Sequence, residues 1–288
     1  MSEATPQIQW HRRVADKLAT ALAVICVLLV ILPLAAVFIY LVIRGVGSLN
    51  LAFFTHIPSG SPGEPGGGMA NAIIGSVVIL LIGSVIGVPL GVGSGIYLSE
   101  YSRGQFGKVV RFTADVLNGV PSIVIGIAVY ALLVLRQKHF SALAGGVALG
   151  IMMIPTITRS TEEMLRLVPN SIREAALGLG IPQWRSTLSI TLRTAMSGVI
   201  TGVMLAFARV SGETAPLLFT ALGNSYWSTK LNQPIAALPL QIYVYALSPY
   251  DEWHRLAWAG ALVLIVIIVA TSASVRWVAS RGFAGGAQ

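Results

Sequence analysis

The sequence reads REAALGLGIPQW over residues 173–184, a polar run between two long apolar stretches. It belongs to a longer polar segment, residues 158–194, whose charged side chains alternate in sign. Strong helix formers fill its centre, and Gly180 and Pro182 then end the helix and turn the chain. Because membrane proteins usually join two spans by a short hairpin, we interpret this segment as a stiff helical elbow that a soluble partner binds. The alternative interpretation is a solvated connector.

The composition indicates a membrane protein before any motif is considered. Hydrophobic residues make up 55% of the chain, charged residues make up 10%, and the mean hydropathy is +0.78, all far from the averages of soluble proteins. An apolar run needs about 20 residues to span the hydrocarbon core of a bilayer. Six segments reach or approach that length, and the fourth is the shortest: 18–43, 70–98, 112–135, 140–157, 195–218 and 256–278. The sequence therefore predicts an all-α polytopic membrane protein with about six transmembrane helices.

The basic residues predict the orientation of these helices. With the N-terminus inside, most lysines and arginines flank the cytoplasmic ends of the spans, as the positive-inside rule requires. The basic residues that then face outward are Arg44, Arg136, Lys138, Lys230 and Arg255. This orientation predicts a cytoplasmic tail over residues 1–17, one transmembrane domain over 18–278 whose elbow lies in the cytoplasm, and a second cytoplasmic tail over 279–288.

The sequence also argues against several function classes. It contains no GxxxxGK[ST] phosphate-binding loop, so the chain is not expected to hydrolyse ATP or to hold a cofactor itself. Cys26 is the only cysteine and lies in the first span, so we expect no disulfide and no cysteine-based metal site within one chain. Away from the membrane flanks there is no basic stripe with interleaved aromatic residues, so we expect contact with membrane lipid and not with nucleic acid.

Two segments are predicted on the outer side of the membrane. Residues 44–69 contain three prolines and a glycine run at 66–68, which indicates a flexible loop. Residues 220–255 contain an apolar stretch between Pro234 and Pro249 that is too short to span the bilayer. We interpret this stretch as an interfacial or re-entrant helix, and the tyrosines and tryptophans around it suit an aromatic belt at that depth.

Glycines and prolines mark the second and third spans. Gly83, Gly87, Gly91 and Gly95 are spaced four residues apart, so they share one face of a helix. Small residues at that spacing let another helix approach closely. We therefore predict tight packing there, within the chain or with a partner, and a hinge is the lesser alternative. The run NGVPS at 118–122 is predicted to break the third span locally, because proline lacks a backbone N–H.

Two charged residues lie deep in the fifth predicted span. Arg209 and Glu213 are four residues apart, and at about 1.5 Å per residue Arg209 lies far from the cytoplasmic start of that helix. A central charge costs roughly 2.5–3.5 kcal/mol on insertion scales, so it persists only when it is paired or faces a water-filled path. One interpretation is a buried ion pair that fixes the rotation of the helix. The other is a polar site on a translocation path, where the planar guanidinium suits an oxyanion.

The residues of the elbow follow a known spacing. Glu174, Ala175 and Ala176 are followed by Gly180 and then by the run ITL at 190–192. This pattern resembles the EAA loop of bacterial ABC-importer permeases, although Arg193 stands where that family usually has proline. The resemblance implies that the elbow is a coupling helix, which sits in a groove on a cytoplasmic ATPase subunit. We expect Gly180 to make a tight turn that a side chain would obstruct.

Further matching runs extend over most of the chain. They lie at 118–122, 209–223, 226–228 and 248–260. From residue 70 onward the sequence resembles the A-type permeases of Pst phosphate importers. The resemblance implies a six-helix type I ABC importer permease of the bacterial inner membrane, with Arg209 and Glu213 on the substrate path. It also implies a heterodimer with a C-type permease, two copies of an ATPase that holds ATP and Mg²⁺, and an extracytoplasmic phosphate-binding protein.

Two other functions stay open on the sequence alone. An ABC permease for another solute, such as sulfate, molybdate or an amino acid, would share the elbow and the spans. A secondary transporter or channel would need no ATPase. Such folds often contain inverted repeats, and this sequence has no convincing internal repeat.

Overall fold

The computed structural model describes residues 10–59, 64, 67–102 and 104–284. Residues 1–9 of the predicted N-terminal tail, part of the predicted outer loop and residues 285–288 lie outside this description. The helices are α1 (Trp10–Val46), α2 (Leu51–Thr55), α3 (Ala70–Ile96), α4 (Gln105–Gly119), α5 (Ser122–Val129), α6 (Leu135–Gln137), α7 (Ala142–Arg166), α8 (Asn170–Gly178), α9 (Gln183–Ser186), α10 (Leu192–Ser211), α11 (Ala215–Thr220), α12 (Leu238–Ala246) and α13 (Asp251–Ala284). Wider π-helical turns occupy Tyr97–Tyr101, Tyr130–Val134 and Thr187–Thr191.

The long apolar helices confirm the predicted all-helical membrane fold. Five continuous segments of the described chain are long and apolar enough to cross a bilayer: Arg12–Val46, Ala70–Tyr101, Ala142–Arg166, Gln183–Ser211 and Asp251–Val278. A sixth candidate is broken into Gln105–Gly119 and Ser122–Gln137, which meet at 104°. The structure therefore agrees with about six transmembrane helices, one of which is strongly bent.

The bend in the third predicted span follows from local backbone chemistry. Val120 and Pro121 adopt ψ values of 131° and 135°, which lie outside the helical range. Pro121 lacks an N–H group and disfavours a helical conformation in the residue before it. The Thr156 hydroxyl of α7 donates to Asn118 Oδ1 at 3.0 Å and holds the end of α4 beside the bend. The predicted local break is confirmed, and it is much sharper than a kink.

The fourth and fifth predicted spans have wrong boundaries. α7 continues to Arg166, well past the predicted end at Ile157 and into the segment assigned to the elbow. The continuous helical segment that contains the fifth span runs from Gln183, where α9 still belongs to the elbow, and ends at Ser211 instead of Leu218. Hydropathy locates the apolar part of a span, but a helix continues wherever its polar residues find partners. The elbow proper is therefore shorter than predicted and consists of α8, α9 and the turn between them.

The glycine stripe on α3 packs against α7 of the same chain. Its four residues are all buried: Gly83, Gly87, Gly91 and Gly95. A Cβ atom on Gly87 would lie 2.7 Å from the Cβ atom of Met153, and one on Gly91 would lie 2.7 Å from that of Ile157. Real Cβ atoms do not approach so closely, so this helix pair requires glycine at both positions. The sequence left open whether the stripe faces this chain or a partner, and the structure places it within this chain.

Enlarging the stripe is expected to disrupt the subunit. We expect Gly87→Leu and Gly91→Leu to force α3 away from α7 and to lower the yield of folded protein, because overpacking a tight contact costs about 1–3 kcal/mol or more. The measurement is the yield and thermal stability of the detergent-purified complex. Gly93→Leu is the control, because outside its own helix no described atom lies within 4 Å of a Cβ placed there. Equal yields for all three variants would contradict the packing role.

Helix α12, in the segment predicted to lie outside, has nine residues and is too short to span the bilayer, as predicted. The backbone N–H of Leu238 at its start donates to Ser76 Oγ on α3 at 2.6 Å. Near its end, Tyr245 is buried and stacks on Trp253 of α13, with ring centroids 4.5 Å apart. These contacts attach the outer segment to both α3 and α13.

Candidate functional site

Arg209 lies in the last turn of α10, and Glu213 lies beyond the end of that helix. The sequence placed both residues on one continuous helix, which is wrong because α10 ends at Ser211 and α11 begins at Ala215. Arg209 is exposed and Glu213 is half-buried. Neither residue forms an ion pair with any described residue. The internal Arg209–Glu213 ion pair, one of the two sequence interpretations, is therefore not formed in this structure.

The sequence between the two charges explains the break. Gly212 follows the last helical residue, and the N–H of Glu213 donates back to the carbonyl of Val210 at 3.2 Å. Pro216 occupies the first turn of α11, a position where its missing N–H leaves no helical bond unmade. Arg209 consequently stands at the C-terminal end of a helix, where the helix dipole favours a cation.

The break between α10 and α11 is fixed by contacts of α11 with α5 and α7. A Cβ atom on Gly126 of α5 would lie 2.6 Å from Pro216 Cα, so the backbones of α5 and α11 are in contact. The N–H of Ser141 donates to the carbonyl of Thr220 at 3.0 Å and ties the end of α11 to the start of α7. Arg209 itself is exposed. A cation on a rigid support is thus available to a ligand or to another subunit.

A polar face of α10 extends from Arg209 toward the other end of the helix. Ser197 and Thr201 are exposed and share this face with Arg209, with the exposed Leu205 between them and the arginine. The common spacing of four residues is the sequence signal that could have revealed this face. Sequence reasoning singled out only the charged residue. The structure adds two hydroxyl groups along the same surface.

The elbow presents the EAA residues at the end of α8. Glu174 and Ala175 are exposed, whereas Ala176 is buried against the chain. Gly180 has a φ of +78°, and its N–H and that of Ile181 close the end of the helix on the carbonyls of Leu177 and Ala176, as in a Schellman motif. Its chain neighbours aside, no described atom lies within 4 Å of a Cβ placed on Gly180. Glycine is therefore favoured because its backbone is left-handed, a conformation in which a side chain is strained against its own backbone and not against another element.

The elbow carries exposed apolar side chains in an otherwise polar segment. They are Leu177, Leu179 and Trp184, and Leu179 is 81% exposed. Large exposed apolar groups that cluster in this way mark a surface that binds another protein. The elbow can therefore offer one apolar patch and the carboxylate of Glu174 to a partner.

Two buried carboxylates near the elbow were missed by sequence reasoning. Glu162 was assigned to the charged elbow, but it lies in α7, only 1% of its side chain is exposed, and three arginines contact it. Glu100, at the end of α3, forms an ion pair with Arg173 of the elbow. Arg159 and Arg166 lie at helical spacing from Glu162. The remote partners, Arg111 for Glu162 and Arg173 for Glu100, have no local sequence signal.

The guanidinium of Arg209 is suited to binding an oxyanion. Among the described residues, no group of three or more His, Cys, Asp or Glu side chains could hold a metal ion. A guanidinium donates two parallel hydrogen bonds to an oxyanion. A carboxylate close by, such as that of Glu213, can accept a hydrogen bond only from an oxygen that keeps its proton.

Comparison with curated proteins gives relatives that match the chain over nearly its whole length. The chain is 44% identical to a phosphate transport system permease protein PstA of Yersinia pestis, over 93% of this chain and 91% of the relative. It is 45% identical to the PstA protein of Xylella fastidiosa strain Temecula1, over 96% of each chain. It is 46% identical to that of Pasteurella multocida, over 90% of this chain and 92% of the relative.

A solved structure and a family model agree with these relatives. An inward-facing MetNI methionine ABC transporter matches with a TM-score of 0.55 and 16% identity, over 76% of this chain and 94% of the other, which supports the fold alone. Residues 87–282 match the family described as "Binding-protein-dependent transport system inner membrane component". The chain therefore belongs to this family of inner membrane transport components, together with the PstA phosphate transport permeases to which it is similar.

Proposed function

We propose that this chain is the A-type permease subunit of an ATP-driven phosphate importer and forms half of the translocation path. The observation that carries the proposal is the exposed guanidinium of Arg209, which stands without an ion-pair partner among the described residues at the broken end of α10. The similarity to PstA permeases over more than nine-tenths of the chain supports phosphate as the solute. As a permease, the chain is not an enzyme, and a separate subunit hydrolyses ATP.

Arg209 binds phosphate transiently as it passes. Its planar fork pairs with two phosphate oxygens. Glu213 orients the guanidinium or accepts a hydrogen bond from the protonated phosphate oxygen. Phosphate keeps a proton near neutral pH, whereas sulfate does not, so the carboxylate repels a fully deprotonated anion and favours phosphate.

The elbow couples transport to the ATPase. Its exposed residues Glu174 and Ala175, together with the patch of Leu177, Leu179 and Trp184, form the contact surface. Ala176 faces inward and fixes α8 to the chain. The turn at Gly180 sets the direction in which the patch points.

The complete importer contains further subunits. A C-type permease pairs with this chain and supplies the other half of the path, two ATPase subunits bind the two elbows, and an extracytoplasmic protein delivers phosphate. Residues 12–34 of α1 are all exposed within the described chain, which leaves this part of the helix free to contact lipid or the second permease. Both termini lie in the cytoplasm.

Isolation of the complex from its native membrane tests this assignment. We expect one C-type permease, two nucleotide-binding subunits and phosphate-dependent ATP hydrolysis when the binding protein is added. A chain that purifies without any nucleotide-binding subunit would indicate a secondary transporter. Uptake that sulfate, molybdate or an amino acid supports in place of phosphate would indicate a permease for that solute.

A further inference from the structure

A buried ion pair attaches the elbow to the end of α3. Nε and Nη2 of Arg173 in α8 donate to the two carboxylate oxygens of Glu100, with Nη2 at 2.8 Å, and only 6% of the Glu100 side chain is exposed. Arg173 also donates to the carbonyl of Leu165 at 2.7 Å. From the other side of the turn, Gln183 Nε2 donates to the carbonyl oxygen of Glu100 at 3.1 Å. Both arms of the elbow are thus bonded to one residue of α3.

A second cluster attaches α4 to α7. Glu162 of α7 accepts from Arg111 of α4 at 2.6 Å, and it also contacts Arg159 at 2.9 Å and Arg166 at 2.6 Å. Arg159 extends the cluster to Asp115 of α4 at 3.0 Å. A buried carboxylate is costly unless it is paired and hydrogen-bonded, and three guanidinium groups meet that need. The position of α4 is therefore set by charges on α7.

The two clusters meet in the π-helical turn Tyr97–Tyr101. Arg111 Nη2 donates to the carbonyl of Leu98 at 2.8 Å, while Nε of the same side chain bonds Glu162. Leu98 and Glu100 are two residues apart in that turn. Near a helix end, carbonyl groups lack intrahelical partners and are satisfied by side chains. The π-helical turn that follows α3 thus contacts Arg173 of the elbow and Arg111 of α4.

From α4, contacts continue to the candidate phosphate site. α4 leads through the bend at Val120 into α5, where Gly126 touches Pro216. Pro216 lies three residues after Glu213, in the first turn of α11. Every step between the elbow and Glu213 is therefore a covalent connection, an ion pair, a hydrogen bond or a packed backbone contact.

We infer that Glu100 and Arg111 are positioning residues that carry a displacement of the elbow to α4 and onward to the Arg209–Glu213 site. The inference rests on the proposed coupling role of α8. Both side chains lie at the junction of α3, α4, α7 and the elbow. Their contacts are with residues outside the Arg209–Glu213 site, so they act on that site through other residues. The bidentate, largely buried pair of Arg173 and Glu100 imposes a defined geometry, which an exposed ion pair does not. Chains of packed side chains, ion pairs and rigid helices can carry energetic coupling between distant sites.

The test measures phosphate transport and ATP hydrolysis together. The reconstituted complex with its binding protein is compared with the variants Glu100→Gln and Arg111→Lys. A single ammonium nitrogen does not reproduce the fork with which Arg111 reaches Glu162 and the Leu98 carbonyl. We expect the phosphate transported per ATP hydrolysed to fall about tenfold, within the range usual for allosteric coupling. ATP hydrolysis itself should continue.

Glu163→Gln is the matched control for this measurement. Glu163 is an exposed carboxylate beside Glu162 on the same helix. Its neutralisation should therefore leave the ratio of phosphate transported to ATP hydrolysed unchanged. If complex yield falls in Glu100→Gln and Arg111→Lys but the ratio equals that of the control, the two residues only stabilise the fold and the inference is wrong. An unchanged ratio at normal yield would overturn it equally.

A third variant tests the inference even if Glu100→Gln fails to assemble. Gln183→Ala removes only the second bond between the elbow and Glu100. We expect the phosphate transported per ATP hydrolysed to fall about two- to threefold, because one neutral hydrogen bond contributes little. If Glu100→Gln does not assemble and Gln183→Ala keeps the normal ratio, the inference is overturned. Gly180→Asp, measured in parallel, separates it from the proposed function. If Gly180→Asp lowers the phosphate transported per ATP and the other variants do not, the inferred link through Glu100 is refuted. The elbow would then still be the coupling element.

Discussion

Replacing Arg209 with glutamine is expected to abolish phosphate uptake while the complex still assembles and the binding protein still docks. Each hydrogen bond to a charged partner contributes about 1.5–3 kcal/mol, so losing a bidentate pair should lower uptake by roughly 100-fold or more. Assembly should be unaffected, because Arg209 is exposed and forms no ion pair within the described chain. Uptake of labelled phosphate into proteoliposomes, normalised to complex yield, measures the effect.

Companion variants separate a transport role from a structural one. Arg209→Lys should restore uptake only partly, because a point charge does not reproduce the guanidinium fork. A structural ion pair predicts instead that Arg209→Gln with Glu213→Gln recovers both stability and uptake. Near-normal uptake in this double variant would remove both residues from the path. Arg276→Gln, at an exposed arginine of α13, controls for the loss of one positive charge.

Gly180→Asp is expected to leave the protein inserted but to separate ATP hydrolysis from phosphate uptake. The left-handed backbone at Gly180, with φ of +78°, costs a residue with a side chain roughly 1–2 kcal/mol. The aspartate also places a charge beside the apolar patch on the elbow. Uptake should fall about tenfold or more while ATP hydrolysis persists. Parallel assays of ATPase activity and uptake measure the ratio.

The neighbouring glycine isolates the backbone contribution. Gly178 and Gly180 both have open space where a Cβ atom would lie, but only Gly180 has a positive φ. We therefore expect Gly180→Ala to reduce coupling and Gly178→Ala to preserve it. Normal uptake by Gly180→Asp at normal expression would rule out the elbow as the coupling element.

Several parts of the fold could be predicted because they depend on local sequence. The apolar runs locate the membrane helices, since about 20 residues must cover the hydrocarbon core wherever the helix lies. The NGVPS run breaks the third span because Pro121 cannot make a helical hydrogen bond in any environment. The end of the elbow helix at Gly180 follows equally from the backbone freedom of glycine.

Other features depend on neighbours that are remote in sequence. The glycine stripe predicted a close helix contact, but the choice of α7 as its partner depends on the side chains of Met153 and Ile157. The separation of Arg209 from Glu213 was not predicted, because the helical spacing of two charges says nothing of a helix end between them.

The sequence by itself determined the class of protein and the approximate positions of the membrane helices and the elbow, and it singled out Arg209 as a candidate site residue. Only the tertiary structure decided which charges are solvated and which are buried. Glu162 and Glu163 are adjacent carboxylates on one helix, yet Glu162 is buried and Glu163 is exposed. The difference arises because α4 brings Arg111 to within 2.6 Å of Glu162. A buried charge is stable only beside an opposite charge, and that neighbour is supplied by the packing of helices.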